Sequence, residues 1–220
     1  MRGANWFNLL TLVGWLNAGL WCVALALTWR GLRQQKPLPA PPDDELAGPD
    51  APLVSLLVPA RNEAGRVLRE SLASMLEQDY GNLEIIAVND RSEDDTGDIL
   101  RAIAKENPNL RAIEGAPAPP DWLGKPHAMA QAVAAARGEW LLATDADMIF
   151  APRAVRTVLD YAQANDYDAV TLLPRIVCGS FWERVFLPAF GWFMLLAMPA
   201  RRVNNPQRKE AAGVGQPPRL

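Results

Sequence analysis

Residues 53–88, "LVSLLVPARNEAGRVLRESLASMLEQDYGNLEIIAV", decide the fold. Two apolar runs, 53–58 and 83–88, have the length and aliphatic composition of buried strands. Between them, residues 63–78 repeat apolar side chains with the period of one helical face. The members of that face are Val67, Leu68, Leu72, Met75 and Leu76. A helix between two buried strands predicts an α/β fold with parallel strands.

The alternation of strand and helix continues downstream of this stretch. Asp94 or Asp95 can cap a helix from Thr96 to about Asn107. The further segments are a strand at 110–113, an alanine-rich helix at 125–136, a strand at 140–143, a helix at 152–164 and a fifth strand, "AVTLL", at 169–173. We therefore expect a Rossmann-like α/β domain, with a mainly parallel sheet covered by helices on both faces.

Residues 6–29 carry no charged side chain, and about 20 apolar residues suffice to span a bilayer. This predicts one N-terminal transmembrane helix, with a cleaved signal peptide ending near Ala24-Leu25-Ala26 as the alternative. Arg2 precedes the segment, whereas Arg30, Arg33 and Lys36 follow it. The positive-inside rule then predicts a single-pass anchor in the cell inner membrane with the rest of the chain in the cytoplasm.

Composition divides the chain into four regions. We expect an anchor with its flanks at 1–36, a proline-rich acidic linker at 37–52, the α/β domain at 53–180 and an apolar interfacial region at 181–220. The net charge is −3 with no basic block, so nucleic acid is not an expected partner. The two cysteines lie far apart in sequence and do not indicate a disulfide framework.

The predicted strand 140–143 is followed by Asp145 and Asp147, which flank a single alanine. Two adjacent carboxylates at the edge of a core repel each other unless a positive group lies between them. Extended backbone would point both to one side, where they can share Mg²⁺ or Mn²⁺ with phosphate oxygens and water. The pair is also typical of a turn before a helix.

Other polar residues follow the predicted strands, at the edge where ligands bind in such sheets. Asp90 can accept hydrogen bonds from a nucleobase imide or ribose hydroxyls, or can simply belong to a helix start. Gly124-Lys125 before a helix suits a diphosphate, although this dipeptide is common. His127, the only histidine, is more typical of a helix end than of a ligand.

Four segments together resemble the family-2 glycosyltransferases with the GT-A fold. They are "VSLLVPARNEA" (54–64), "IIAVNDRSEDDT" (85–96), "WLGKPHAMAQA" (122–132) and "GEWLLATDADMIF" (138–150). The resemblance covers roughly residues 53–205. "WLGKPHA" and "SFWERVFLP" (180–188) are similar to a bacterial membrane-associated branch linked to isoprenoid lipids such as hopanoids.

The resemblance implies a nucleotide-sugar donor, with a UDP-sugar as the leading expectation, and inverting transfer to a lipid or polysaccharide acceptor. It places Pro59, Ala60, Asn62, Glu63 and Asp90 in the nucleoside pocket and Lys125 near the phosphates. Asp145 would contact the ribose and, with Asp147, hold the Mg²⁺ or Mn²⁺ ion. That ion would stabilise the departing nucleoside diphosphate, and an acceptor-side carboxylate would act as general base.

The sequence ends at "GVGQPPRL", before the acceptor-side motifs of such enzymes, so we expect a truncated chain without an identifiable base. Glu183 is expected to be a helix-surface or packing residue. Residues 185–200 form an apolar segment that is short for a span, and we expect an interfacial helix. The alternatives are a non-catalytic nucleotide-sugar-binding module and a nucleotidylyltransferase. The absence of a glycine-rich phosphate loop after the first strand disfavours the latter.

Overall fold

The computed structural model describes residues 3–34, 51–172 and 174–197. The described residues fall into two compact units, one within Pro39–Ala164 and the other within Met1–Leu38 and Asn165–Leu220. Of the predicted linker 37–52, only the last two positions lie among the described residues. The residues after 197, including the chain end, lie outside them. The domain boundaries inferred from the sequence stay predictions.

The elements alternate between strand and helix, as the sequence predicts. In chain order they are α1 (Gly3–Gln34), β1 (Val54–Ala60), α2 (Leu68–Leu76), β2 (Leu83–Asn89), α3 (Thr96–Glu106), β3 (Leu110–Glu114), α4 (Gly124–Ala135), β4 (Trp140–Ala143), α5 (Ala154–Ala164) and α6 (Phe181–Ala197). The four strands form one sheet in the order β3-β2-β1-β4, and each neighbouring pair is parallel. The predicted α/β fold with a parallel sheet is confirmed.

Every residue of β1 and β2 is buried, because helices cover both faces of the sheet. Alternate residues of β1 point to opposite faces. Leu56 belongs to a core with apolar residues of α2, α3 and α5, including Leu72 and Leu159. Leu57 belongs to a second, smaller core with Ala128 and Ala132 of α4. The small alanines leave room for close packing of α4 on the sheet.

A buried carboxylate ties β1 and β2 to the segment that leads into β4. Glu84 accepts hydrogen bonds from Ser55 Oγ at 2.6 Å and from the Arg137 backbone N–H at 2.7 Å. The Arg137 guanidinium donates twice more, at 3.0 and 2.8 Å. Burial by itself would raise the pKa of Glu84, but the hydrogen bonds from Ser55 and Arg137 outweigh it and hold the pKa below its usual 4.5.

Two sequence predictions differ from the structure. The predicted fifth strand is wrong for residues 169–172, which have no regular structure, and residue 173 is not described. Of these four, only Val170 is half-buried, so the run lacks the burial that makes an apolar segment a central strand. The helix predicted from residue 63 begins at Leu68, because residues 64–67 form turns.

The second unit contains α1 and α6. Within α1, the stretch Asn8–Arg30 is long and apolar enough to cross a membrane, the one such helix among the residues described. The rings of Trp21 and Trp192 stack with centroids 5.3 Å apart, and Trp192 donates its indole N–H to Thr28. α6 therefore packs against α1. Much of the rest of α6 is exposed and aromatic, at Phe181, Trp182, Phe186, Phe190 and Phe193.

Candidate functional site

The sheet has a topological switch point between β1 and β4. From β1 the chain runs to β2 and β3 on one side, and it returns to pair β4 on the other side of β1. At such points the connections diverge beyond the carboxyl ends of the strands and leave a crevice for ligands. A cleft of about 350 Å³ lies there. Its lining residues are Pro59, Ala60, Arg61, Glu63, Asp90, Gly124, Lys125, Asp145, Ala146 and Asp147.

Asp90 follows β2 directly and is buried, with 4% of its surface exposed. Its backbone N–H donates to the Ala60 carbonyl at 2.8 Å, which joins the ends of β1 and β2. Its Oδ1 accepts two hydrogen bonds from Arg91, from Nε at 3.2 Å and from Nη2 at 3.1 Å. The carboxylate is thus fixed in orientation at the cleft wall, as a group that binds a ligand edge requires.

Asn62 does not line the cleft but fastens the loop after β1 to the loop after β2. Its backbone has φ of 55°, a left-handed conformation that asparagine tolerates. Its N–H donates to Ser92 Oγ at 3.1 Å, and its Oδ1 accepts from the Glu93 N–H at 2.9 Å. Asn62 therefore shapes the walls of the cleft, while its direct contact with a donor stays a prediction.

Glu63 contributes a carboxylate oxygen that is buried and has no hydrogen-bond partner among the described residues. The nearest cation to this Oε2 atom is Arg66 Nε, at 3.6 Å. A buried acceptor without a partner is costly, and a ligand hydroxyl or amide that donates to it removes the cost. Glu63 lines the cleft, and its contact with a nucleoside stays a prediction.

Asp145 and Asp147 lie in the cleft, although β4 ends before them at Ala143. The chain turns at Ala146–Asp147, and the side chain of Ala146 is buried in the core between the two aspartates. Lys125 Nζ lies 2.6 Å from Asp145 Oδ1, and Arg66 Nη1 lies 3.9 Å from Asp147 Oδ2. Both carboxylates thus have a cationic neighbour. Lys125 lies in the cleft, and its contact with phosphates stays a prediction.

The cleft offers the carboxylates of Asp145 and Asp147 as possible ligands for Mg²⁺ or Mn²⁺. Within the described ranges there is no group of three or more metal-ligating side chains. Asp145 and Asp147 keep about half of their side-chain surface exposed, 57% and 45%. Two accessible carboxylates suit a hard cation that takes its other ligands from phosphate oxygens and water.

Gly124, the first residue of α4, allows a close approach to Asp90. An ideal Cβ at Gly124 would lie 2.8 Å from Asp90 Oδ2, so any side chain would collide with the carboxylate. The N-cap residue Leu123 makes no side-chain cap, which leaves the first N–H groups of α4 without that partner. The N-terminal end of α4 thereby offers backbone N–H donors and the Lys125 ammonium beside the two aspartates.

Two further sequence candidates have structural roles. Gln131 Nε2 lies 3.0 Å from His127 Nδ1, and the imidazole is not among the cleft residues. Glu183 Oε2 accepts from the Gly179 and Ser180 N–H groups, while Ser180 Oγ accepts from the Glu183 N–H. This reciprocal capping box, readable as Ser-x-x-Glu, assigns Glu183 to the start of α6.

Sequence reasoning missed three arginines around the cleft, Arg61, Arg66 and Arg91. Arg61 and Arg91 stand inside the segments that carry the resemblance, next to residues already singled out. Their signal was the alternation of cations with acids at the strand ends. Arg66 gave no signal, because its position depends on the turns at 64–67 rather than on helical periodicity.

The fold and the cleft define a class: a parallel α/β domain with an acidic, metal-compatible ligand site at its switch point. The family described as Glycosyl transferase family 2 matches residues 55–214, most of the chain. An N-acetylglucosaminyltransferase of Bradyrhizobium elkanii is 35% identical over 131 residues, which are 58% of this chain and 69% of the relative. The chain belongs to glycosyl transferase family 2.

Other relatives are much longer than the matched region. Glycosyltransferase GlyG of Streptococcus pneumoniae is 30% identical over 118 residues, 54% of this chain and 38% of that protein. The mannosyltransferase PcManGT of Pyrobaculum calidifontis, solved in complex with GDP-Man and Mn²⁺, is 31% identical with a TM-score of 0.52. That match covers 67% of this chain and 42% of the solved chain. The chain thus spans about two fifths of the length of these two relatives.

Proposed function

We propose that the chain binds a nucleotide sugar in the cleft and takes part in metal-dependent, inverting transfer of the sugar to an acceptor. One observation carries this proposal. Asp90 from the loop after β2, Lys125 from the first turn of α4, and Asp145 and Asp147 from the loop after β4 line a single cleft at the switch point. The relative PcManGT, solved with a nucleotide sugar and Mn²⁺, supports the same assignment.

Each residue has a distinct task in this proposal. Asp90 accepts a hydrogen bond from the nucleoside. Asp145 and Asp147 would hold Mg²⁺ or Mn²⁺, and the bound ion supplies Lewis acidity toward the leaving diphosphate. Lys125 Nζ, already within reach of Asp145, adds a positive charge beside the same phosphates. The general base is expected from a carboxylate on the acceptor side, and the capping box of Glu183 argues against that residue.

The acceptor in this proposal is a lipid or a polymer presented at the cytoplasmic face of the inner membrane. Two features support it. α1 contains a candidate span, and α6, which packs on α1, exposes several aromatic side chains. Interfacial helices bury Trp, Phe and Leu side chains at the lipid boundary, so the exposed aromatic residues of α6 suit that boundary beside the anchor. The similarity of "WLGKPHA" to a bacterial branch linked to isoprenoid lipids also favours a lipid acceptor.

The decisive experiment is calorimetric titration of the detergent-solubilised chain with UDP and with GDP, each with and without MnCl₂. We expect Mn²⁺-dependent binding of at least one nucleotide. The double variant Asp145→Ala/Asp147→Ala should bind it at least about 100-fold more weakly, since it loses charge-assisted contacts of roughly 1.5–3 kcal/mol each. Asp168→Ala, an exposed aspartate outside the cleft, is the matched control.

The outcomes separate the proposals. Undiminished Mn²⁺-dependent binding by a folded double variant would overturn the metal assignment. Failure of the wild-type chain to bind either nucleotide would overturn the donor site itself. Binding without transfer from a radiolabelled nucleotide sugar to membrane lipid extract would favour the non-catalytic binding module over the enzyme.

A further inference from the structure

The carboxylate of Asp90 is occupied on one oxygen and open on the other. Arg91 donates to Oδ1 through both Nε and Nη2, whereas no hydrogen bond from the described residues reaches Oδ2. Arg91 has φ of 54°, and its own N–H donates to the Asn89 carbonyl at 2.8 Å. This backbone conformation follows Asp90 immediately and folds the guanidinium back onto the aspartate.

Two guanidinium groups lie near Asp90 Oδ2, the oxygen that accepts no hydrogen bond from the described residues. The ideal Cβ position on Gly124 is 2.8 Å from Asp90 Oδ2, 3.6 Å from Arg91 Nη2 and 3.7 Å from Arg61 Nη1. One acceptor and two guanidinium donors therefore lie around the first residue of α4, which as a glycine has no side chain to separate them. Asp90, Gly124 and Arg61 all line the cleft, so a ligand in the cleft can reach this cluster.

A nucleobase edge that fits this cluster needs one N–H donor flanked by acceptors. Uracil presents that pattern, because its imide N–H lies between two carbonyl oxygens. Guanine presents two adjacent N–H donors beside one carbonyl, so its second donor would meet a guanidinium instead of a free carboxylate oxygen. Cytosine, of the same size as uracil, has an unprotonated ring nitrogen in place of the imide N–H and would face Asp90 acceptor to acceptor.

We propose that Arg61 and Arg91 determine the base specificity of the donor site and select uridine nucleotides. Arg91 does so by occupying Asp90 Oδ1, which leaves the carboxylate a single acceptor. Arg61 and the Nη2 group of Arg91 then donate to the carbonyl oxygens of the base. This inference rests on the proposed nucleotide-sugar site, and it distinguishes the chain from PcManGT, which was solved with GDP-Man.

The test compares the Kd values of UDP, CDP and GDP for the full chain in detergent with saturating MnCl₂. A site built to hydrogen-bond one edge rejects a mismatched edge strongly, so we expect UDP to bind more than about tenfold tighter than CDP or GDP. CDP controls for size. If CDP binds as tightly as UDP, the discrimination is by ring size and the proposal is overturned.

Variants identify the residues responsible. Arg91→Asn tolerates the left-handed backbone, frees Asp90 Oδ1 and should reduce the UDP-to-GDP preference to within about threefold. Arg61→Gln should weaken UDP more than GDP. Arg69→Asn, on the exposed surface of α2, is the matched control and should keep the wild-type ratio.

A ratio of affinities does not respond to a general loss of stability, which lowers the binding of all three nucleotides together. An unchanged ratio in both arginine variants would overturn the assignment of specificity while leaving the donor site intact. If the wild-type chain binds none of the three nucleotides, the proposed function fails and this inference fails with it.

Discussion

Two aspartates at the end of β4 pose an electrostatic problem that neighbouring cations solve. Lys125 lies beside Asp145 and Arg66 beside Asp147, so each carboxylate has a counter-charge before any metal binds. Arg66 is 63% exposed and 3.9 Å from its partner, and such surface pairs contribute only about 0–1 kcal/mol. Arg66 is therefore a weak competitor that a divalent cation can displace from Asp147.

This competition predicts that removing the charge of Arg66 strengthens Mn²⁺ binding. Arg66→Gln should bind Mn²⁺ alone about two- to threefold more tightly than the wild-type chain, because a repelling charge near the metal ligands is removed. Electron paramagnetic resonance of free Mn²⁺ measures the change. Arg69→Gln, with its side chain outside the cleft, should show none. Weaker Mn²⁺ binding by Arg66→Gln would contradict the arrangement.

At the scale of the elements, Glu84 joins β1, β2 and the residues before β4 through its buried carboxylate. Its lowered pKa means that the ionised form stabilises the fold. That contribution is complete above the unfolded pKa near 4.5 and is lost as the pH falls through the lower folded value. Glu84→Gln should therefore cost about 1.5–3 kcal/mol of unfolding free energy at pH 7, the range for hydrogen bonds to charged groups.

The difference between Glu84→Gln and wild type should begin to shrink below pH 4.5, where the unfolded glutamate takes up a proton, and should be lost once the pH falls below the lower folded pKa. Urea unfolding followed by far-UV circular dichroism at pH 7 and pH 3.5 measures both values. Glu70→Gln, an exposed residue of α2, should be neutral at either pH. A pH-independent difference at position 84 would mean that shape, rather than charge, accounts for the loss.

The elements themselves differ in how well the sequence predicts them. β1 and β2 were predictable because burial on both faces requires mainly apolar runs, which the chain shows at 53–58 and 83–88. Each run has one polar residue, and these two, Ser55 and Glu84, hydrogen-bond each other. The run 169–173 has the same composition, yet whether a run becomes a strand depends on a neighbouring backbone that composition does not encode. The start of α2 shifted to Leu68 because the Glu63 and Ala64 N–H groups donate to Thr96 Oγ1 and Asp94 Oδ2, which holds these two residues outside the helix.

The site followed the same division. The positions of Asp90 and Asp145 in one cleft were predictable because parallel strands bring their carboxyl ends to one edge, and that of Lys125 because α4 begins at the same edge. The role of Asn62 was less so, since a loop-to-loop hydrogen bond depends on a backbone conformation that only the folded chain defines. Arg91 was hidden for the same reason, because adjacent residues contact through their side chains only in special backbone conformations.

At the scale of the whole molecule, the proposed chemistry at a membrane depends on α1. The stretch Asn8–Arg30 has the length and composition of a span, and the charges after it, Arg30 and Arg33, favour a cytoplasmic C-terminal side. Arg33 also lies over the Trp29 ring, 4.8 Å from its centroid, as a pair at an interface would. These features predict an uncleaved anchor.

Expressed in a bacterial host, the chain should remain in the membrane pellet after alkaline carbonate extraction, and its intact mass should include the residues before Ala26. Protease added to spheroplasts should leave the α/β domain whole, while inside-out vesicles should lose it.

Replacing Arg30, Arg33 and Lys36 by glutamine should lower the fraction of chains whose domain lies in the cytoplasm. The matched change at Arg61, Arg66 and Arg69 is the control. The anionic cytoplasmic surface attracts each nearby basic residue by about 1 kcal/mol. In the wild-type chain the three basic residues after the span outweigh Arg2 before it, and removing all three should reverse that balance. A mature chain that begins after Ala26, or a domain cleaved in spheroplasts, would instead identify an exported protein without access to cytoplasmic nucleotide sugars.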